Sequence, residues 1–333
     1  MATLKDVAAA AGVSPATASR ALSEPGSVAT AGRERVLRAA AQLGYRVNPA
    51  ARALRSGRSG HLGLVLPDLA NPFFASVAKG VQARARELGR TVLVADTEED
   101  PALELDLVAR LREQVDGVIL CSSRMPESQL RSHADAGRVV LVNRELDGVP
   151  SVSVDNADGV RQGLEHLRAL GHRTVAYAGG PASSWSDQRR REAFAAVEGI
   201  TVVDLGPGRP VAARGVAAAD LALGSAATAV VAYNDLVALG VLDQLRTRGV
   251  RVPEEMSVIG FDDIPAAALV HPPLTTVTLP LREVGRRAVE LVVATADADP
   301  SDPPAVVREL LGVELVVRGS TAPAAAGAAR SQA

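Results

Sequence analysis

A single cysteine in 333 residues, Cys121, leaves no partner for an internal disulfide. The five histidines are scattered and no Cys/His group has zinc-ligand spacing, so neither a metal nor another cofactor is expected. No apolar run approaches the roughly 20 residues of a membrane span. No N-terminal stretch joins a basic start to a long apolar run and a cleavage site, which argues against secretion. There is no GxSxG turn and no phosphate loop, and "GGPASS" lacks GxGxxG spacing. Aromatic residues are only 2% of the chain. The absences exclude a disulfide scaffold, point away from a membrane protein or an α/β enzyme, and leave a cytoplasmic protein without catalytic machinery as the expectation.

What is present is unevenly distributed. Hydrophobic residues make up 47% of the chain, enough for large cores, and the length allows two or three domains. The net charge of -2 conceals a basic head. Residues 1–60 hold nine Lys and Arg against three Asp and Glu, while the remainder is acidic. Such asymmetry fits a head that meets a polyanion, although a merely solvated head has the same charge.

Within the head, "TLKDVAAAAG" predicts a helix from about Lys5, with Leu4, Val7 and Ala8 at i, i+3, i+4 spacing and Gly12 as its stop. Ser14 suits an N-cap and Pro15 the first helical position, where a missing N–H costs nothing. A third helix follows, capped by Thr30 and ended by Gly44, and Val7, Val13, Ala18, Leu22, Val36 and Leu43 form the expected core. Helix, tight turn and second short helix is the helix-turn-helix arrangement. The second helix, "GVSPATASRAL", carries one long polar side chain, Arg20, on an otherwise slim outer face. That suits a helix lying in the DNA major groove: Arg20 for a bidentate pair with guanine, Ala16 against a thymine methyl, Thr17 and Ser19 for phosphates or base edges. The bland alternative is a structural hairpin with alanine-rich packing. Beyond it, "YRVNPAARALRSGRSG" gives about two marginal helical turns and then a Ser/Gly linker. Leu54, flanked by Arg52 and Arg55, is placed as a minor-groove wedge, with a plain basic linker as the alternative.

From His61, apolar runs of strand length ("HLGLVL", "TVLVA", "GVILC", "RVVLV", "TVAYAG", "ITVVDL", "TAVVA", "MSVIGF") alternate with helical stretches over 73–88, 101–114, 156–170, 186–197 and 234–248. Alternation of this kind predicts parallel sheets covered by helices on both faces. Eight strands fit two α/β lobes better than one barrel, and ligands of such sheets bind at the strands' carboxyl ends.

The motifs "TLKDVAAAAGVSPATASRAL", "GLVLPDLANPFFASVAKGV", "GLEHLRALGHRTVAYAGGP", "VAYNDLVALGVLDQLRTRGVRVPEEMSVIGFDDIP" and "HPPLTTV" resemble, in order and over residues 3–320, the LacI/GalR family of bacterial transcription repressors. The resemblance implies an α/β protein with a three-helix helix-turn-helix head over 1–47 and a hinge helix and linker over 48–60. A two-lobed, periplasmic-binding-protein-like body then spans 61–320, with an N-lobe of about 61–156 and 279–308 and a C-lobe of about 157–278 and 309–320. The chain should cross between lobes near Asp155–Asn156, near Val277–Leu279 and before "VELVVRG". The tail, 321–333, has no apolar repeat and is expected to be disordered, which favours a homodimer over a tetramer. The implied partners are double-stranded operator DNA and a small-molecule effector, a sugar first and a nucleobase, other metabolite or protein corepressor second; no membrane is involved. A sugar-binding transport protein shares the body but would lack the basic head.

Family positions extend the DNA-facing set to Ser14, Pro15, Tyr45, Asn48, Ala51, Arg52 and Leu54. In the cleft they point to Asn71, Phe73 and Phe74 after the first strand, Arg144 after "VVLVN", and Ser184, Trp185 and Ser186 on the loop before a helix bearing Arg190. Asn234 and Asp262 complete the set at further strand ends. One of the two phenylalanines is expected in the core, and Trp185 either stacks on a sugar ring or packs on its own loop. Asp235 is the expected cap of helix 235–248. Leu279 and the short stretch "LGPGRPVAARG" depart from the family pattern near the ligand.

Overall fold

The computed structural model describes residues 2–23, 26, 28–45, 58–135, 138–299 and 305–324. Its contacts divide into two units, Met1–Gly60 and His61–Ala333. The expected hinge helix and its residues Asn48, Ala51, Arg52 and Leu54 lie outside the described residues.

The first unit holds α1 (Leu4–Ala11), α2 (Pro15–Ser23) and α3 (Thr30–Gln42). Thr3 and Asp6 form a reciprocal capping box that starts α1. Gly12 ends it at φ 64, a left-handed turn that costs glycine little, and the Val13 amide then reaches the Ala8 carbonyl at 3.0 Å. Ser14 starts α2 as expected, accepting the Thr17 amide at 3.1 Å. At α3 the expectation is corrected: Ala29 occupies the cap without a side-chain bond and Thr30 is already helical. The core joins Val7, Ala8, Ala11, Ala18, Ala21, Val36, Ala39 and Ala40, with Val13 and Leu22 partly buried beside it. Leu43, expected there, is 41% exposed, because the last turn of α3 carries it past the small alanine core.

The second unit contains two six-stranded sheets. Strands β1 (His61–Leu66), β2 (Thr91–Asp96), β3 (Gly117–Cys121), β4 (Val139–Val142), β5 (Ser151–Val154) and β11 (Arg308–Leu311) make one, in the order β11-β5-β4-β3-β1-β2, all parallel. The other has the order β12-β10-β9-β8-β6-β7, from β6 (Thr174–Ala178), β7 (Thr201–Asp204), β8 (Ala229–Ala232), β9 (Ser257–Asp262), β10 (Thr275–Thr278) and β12 (Glu314–Val316). It is parallel except where β12 joins β10. Helices α4 (Pro72–Glu87), α5 (Pro101–Arg112), α6 (Glu127–Asp135) and α11 (Leu281–Asp297) belong to the first lobe; α7 (Asn156–Ala169), α8 (Trp185–Ala195), α9 (Ala212–Leu223) and α10 (Asp235–Thr247) to the second.

Among the described residues there are twelve strands: the eight apolar runs expected, β12 within "VELVVRG", and three more. The short β5, β10 and β11 escape notice because Ser, Thr and charged residues interrupt their apolar character; Ser151, Ser153, Thr275 and Thr276 are nonetheless buried. The chain crosses between lobes at Asp155, at Leu279–Pro280 and at Gly312–Val313. The third crossing corrects the expected lobe boundary at 308, since β11 still pairs with β5 in the first sheet. The tail expectation is also corrected in part. Thr321 contacts His166 at 2.9 Å, and the Ala324 amide donates to the Leu170 carbonyl at 2.8 Å, so 321–324 are bound to the second lobe. Residues 325–333 lie outside the described set. Among the described residues no helix is long and apolar enough to cross a membrane, and no group of His, Cys, Asp and Glu could hold a metal ion.

Candidate DNA face and interlobe cavity

On α2, Ala18 and Ala21 face the core while Pro15, Ala16 and Arg20 are exposed, so Ala16 and Arg20 share one open face at i, i+4. Ser14 is exposed and Thr17 half-exposed, but their hydroxyls lie 2.9 Å apart and engage one another. Tyr45 follows α3, its amide donating to the Ala40 carbonyl at 2.9 Å, and its side chain packs at the edge of the small core.

In the second unit the carboxyl ends of both sheets face one another across a narrow cavity lined from both lobes. Each parallel sheet reverses its winding between its first and third strands, the point where such folds place ligands. Seven of the expected residues line the cavity: Asn71, Phe73, Phe74, Ser186, Arg190, Asn234 and Asp262. Both phenylalanines are buried in the first-lobe core as well, edge to face with centroids 4.9 Å apart. Asn71 caps α4 by accepting the Phe73 amide at 3.0 Å. Asn234, not Asp235, caps α10, accepting the Val237 amide at 2.9 Å and donating to the Pro210 carbonyl at 3.2 Å. The helix starts at 235 as expected, but its cap is the residue before, so Asp235 falls in the first turn, fully buried, bonded by the Thr276 hydroxyl at 2.6 Å and the Ile264 amide at 2.8 Å.

Three expected residues do not line the cavity. Ser184 is spent capping α8, accepting the Asp187 amide at 3.2 Å, and meets the Tyr233 hydroxyl at 3.0 Å. Trp185 is half-buried with Arg189 over its ring at 5.6 Å, which favours the packing alternative. Arg144 is half-buried beside the cavity; burial pulls its guanidinium down, partly offset by Glu127 and Glu104. Leu279 is buried in the second crossover and lines a separate crevice.

Five lining residues were missed: Ser122, Arg124, Asn143, Pro210 and Tyr233. Ser122, Asn143 and Asp262 share a signature that sequence does not display. They sit at the ends of β3, β4 and β9 with φ of 48, 49 and 114, and left-handed backbone at non-glycine residues tends to mark binding sites. Arg124 is 4% exposed and held by Glu99 through two bonds of 2.6 and 3.1 Å. Burial works against its charge, but Tyr233 and Glu99 more than compensate and raise its pKa.

The acidic groups of the second lobe behave oppositely. Burial, reinforced by Asp235, pushes the Asp262 carboxyl well up, with Arg190 partly restoring the charge. Among the described residues Asp262 accepts no hydrogen bond, although it is 6% exposed. Burial raises Asp235 to about 7 against the bonds from Thr276 and Ile264. Arg190 is fixed by a bond from Nε to Asn156 Oδ1 at 2.9 Å and another from Nη1 to the Tyr233 carbonyl. Asp187 anchors the loop ahead of it, accepting from Tyr177 and Gly180, each at 2.7 Å, and from Arg191 at 2.6 Å. The result is a preformed slot with one unspent carboxylate, one oriented guanidinium, several small polar groups and an aromatic wall. It suits a compact molecule rich in hydroxyl or N–H donors.

A family model described as bacterial regulatory proteins, lacI family, matches residues 3–48, and one described as periplasmic binding protein-like domain matches residues 164–321. The HTH-type transcriptional repressor CytR of Escherichia coli (strain K12) is 32% identical over 336 residues, covering 96% of each chain. The ribose operon repressor of Bacillus subtilis (strain 168) is 33% identical over 305 residues, covering 90% of this chain and 93% of its own. Among solved structures, the lac repressor dimer bound to operator and the anti-inducer ONPF matches with a TM-score of 0.82 at 29% identity. The match covers 96% of this chain and 99% of that one.

Proposed function

The chain belongs to the LacI family of bacterial regulatory proteins, and on that premise we propose that it is a repressor whose α2 reads operator DNA and whose interlobe cavity senses a small sugar. It acts as a homodimer on a pseudopalindromic operator, in the cytoplasm and without catalytic activity of its own. Arg20 and Ala16 carry the base contacts, with Ser14, Pro15, Thr17, Ser19 and Tyr45 positioning the helix against phosphates. Asn48, Ala51, Arg52 and Leu54 serve the centre of the operator. In the cavity Asp262 accepts sugar hydroxyls, Arg190 and Asn71 donate to them, and Phe73 and Phe74 form the apolar wall.

The observation that carries the sensing half is the buried Asp262 carboxyl, which accepts no hydrogen bond among the described residues, beside the oriented Arg190. A buried carboxylate without a donor is costly unless a ligand supplies one. Because the cavity draws its walls from both lobes, a bound molecule favours one angle between them over others; where that angle changes operator affinity, operator changes effector affinity by the same factor.

The test is fluorescence anisotropy of the full chain on duplexes from upstream of its own gene, titrated with D-ribose, D-galactose, D-glucose and a nucleoside. A sugar should change operator affinity by roughly 5–150-fold. Selective DNA binding indifferent to every sugar, but shifted by the nucleoside, would replace the sugar in this reading. Failure to prefer any symmetric duplex over random DNA would end it.

A further inference from the structure

The first crossover, Val154–Asp155–Asn156, is gripped from both sides by residues that line the cavity. From the first lobe, Asn143 Oδ1 accepts the Val154 amide at 3.3 Å, and the Asn143 amide donates to the Val152 carbonyl at 3.0 Å. From the second, Arg190 Nε donates to Asn156 Oδ1 at 2.9 Å. Asn156 in turn donates from Nδ2 to the Val154 carbonyl at 3.1 Å. One side chain, 3% exposed, therefore joins a cavity guanidinium to the backbone of the hinge.

Neither bond is needed to build the local fold. Helix α7 is already capped by Asp155, which accepts the Asp158 amide at 2.9 Å. Arg190 is independently held by the Tyr233 carbonyl and by the Phe261 ring beneath it. The third crossover is tied to the same helix. Gln162 donates to the Val313 carbonyl at 3.0 Å and accepts the Leu315 amide at 2.8 Å. A turn of α7 about its first residue is thus passed to a second crossover.

We propose that Asn156 is a positioning residue that sets the angle between the lobes by locking Arg190 to the first crossover. A pull on Arg190 from within the cavity is delivered to the hinge through its Oδ1 and Nδ2, and through Gln162 to the third crossover. The part played by an effector rests on the proposed function; the lock itself does not.

Interlobe distances measured by pulsed electron paramagnetic resonance decide the matter. The full chain carries Cys121→Ala, with nitroxides on Arg110→Cys of α5 and Arg246→Cys of α10, whose native side chains are 72% and 77% exposed. Excess unlabelled chain ensures that only intrachain pairs report. Without ligand, the parent should give one narrow distribution. Asn156→Ala should broaden it or move its mean by several ångströms, and Asn156→Asp, which keeps the acceptor for Arg190 but loses the Nδ2 donor to the Val154 carbonyl, should broaden it less. A purely structural asparagine would lower the melting temperature and leave the distribution alone, and that result overturns the proposal. So does an aspartate variant as broad as the alanine one. If the alanine variant does not fold, Arg190→Gln removes the same Nε donor and is read in its place, with the same broadening expected. D-ribose and D-galactose form a second arm. If neither moves the parent distribution, those sugars fail as effectors, while the ligand-free comparison still decides Asn156.

Discussion

The Arg190 guanidinium carbon lies 3.4 Å from the centre of the Phe261 ring. A planar cation on a buried aromatic face keeps its edges free for directed hydrogen bonds, which a lysine ammonium cannot reproduce. Arg190→Lys should therefore weaken the response to effector at least ~10-fold, about 1.4 kcal/mol, by titration calorimetry. Unchanged affinity would remove Arg190 from the ligand's contacts.

Arg20 is exposed and contributes nothing to the head's core. Arg20→Ala should leave thermal stability within roughly 0.5 kcal/mol of the parent while costing about 1–3 kcal/mol of operator binding, concentrated at one base pair of each half-site. Anisotropy on a set of single-base operator variants measures both. A uniform loss across all sequences would instead make Arg20 a phosphate contact.

Asp262 and Asn234 both line the cavity but should part company on replacement. Asp262→Asn removes a buried carboxylate without a hydrogen-bond donor, so the ligand-free protein should melt at a higher temperature while binding sugar less well. Asn234→Ala takes away the cap of α10 and the tie to Pro210, and should cost about 0.5–2 kcal/mol in urea unfolding. A lowered melting temperature for Asp262→Asn would mean that its charge supports the fold.

Asp235 titrates near 7 in the folded chain because burial disfavours its charge, against a usual value of 3.8. Between those values the native state holds a proton that the unfolded chain has lost. The contribution of Asp235 to stability therefore declines as pH rises from about 4 towards 7 and is flat above. Burial, partial at His133 and His166 and nearly complete at His172, shifts these histidines down and opposes this trend at lower pH, so the informative quantity is a difference. Unfolding free energy of the parent minus that of Asp235→Asn should fall between pH 5 and pH 8. A difference that rises would show that Asp235 is charged and favourably paired in the native state.

Much of this was legible in the chain because local chemistry and fold agree there. The capping residues Ser14 and Asn71, the stop at Gly12 and the continuous apolar runs of β1, β3 and β8 each act through neighbours a few positions away. Seven cavity residues were found because the family resemblance could be carried, position by position, onto the strand ends and onto the helix that follows β6. What escaped depends on contacts distant in sequence. Arg124 turns inward only because Glu99, from another loop, neutralises it. Tyr233 is placed by Ser184 and stacks with Arg190, a helix away. Conversely, Ser184 looked like a ligand group because a serine between strand and helix serves equally as a cap, and sequence does not reveal which group claims its hydroxyl first.

Because the backbone passes three times between the lobes, neither is encoded by one uninterrupted stretch of gene. A recombination event or a designed graft that exchanges only the middle of the body leaves β12 and residues 321–324 foreign to the sheet they must complete. Exchange of sensing halves between such regulators thus requires matched breakpoints at all three crossovers. Relatives should therefore trade DNA heads far more readily than they trade lobes.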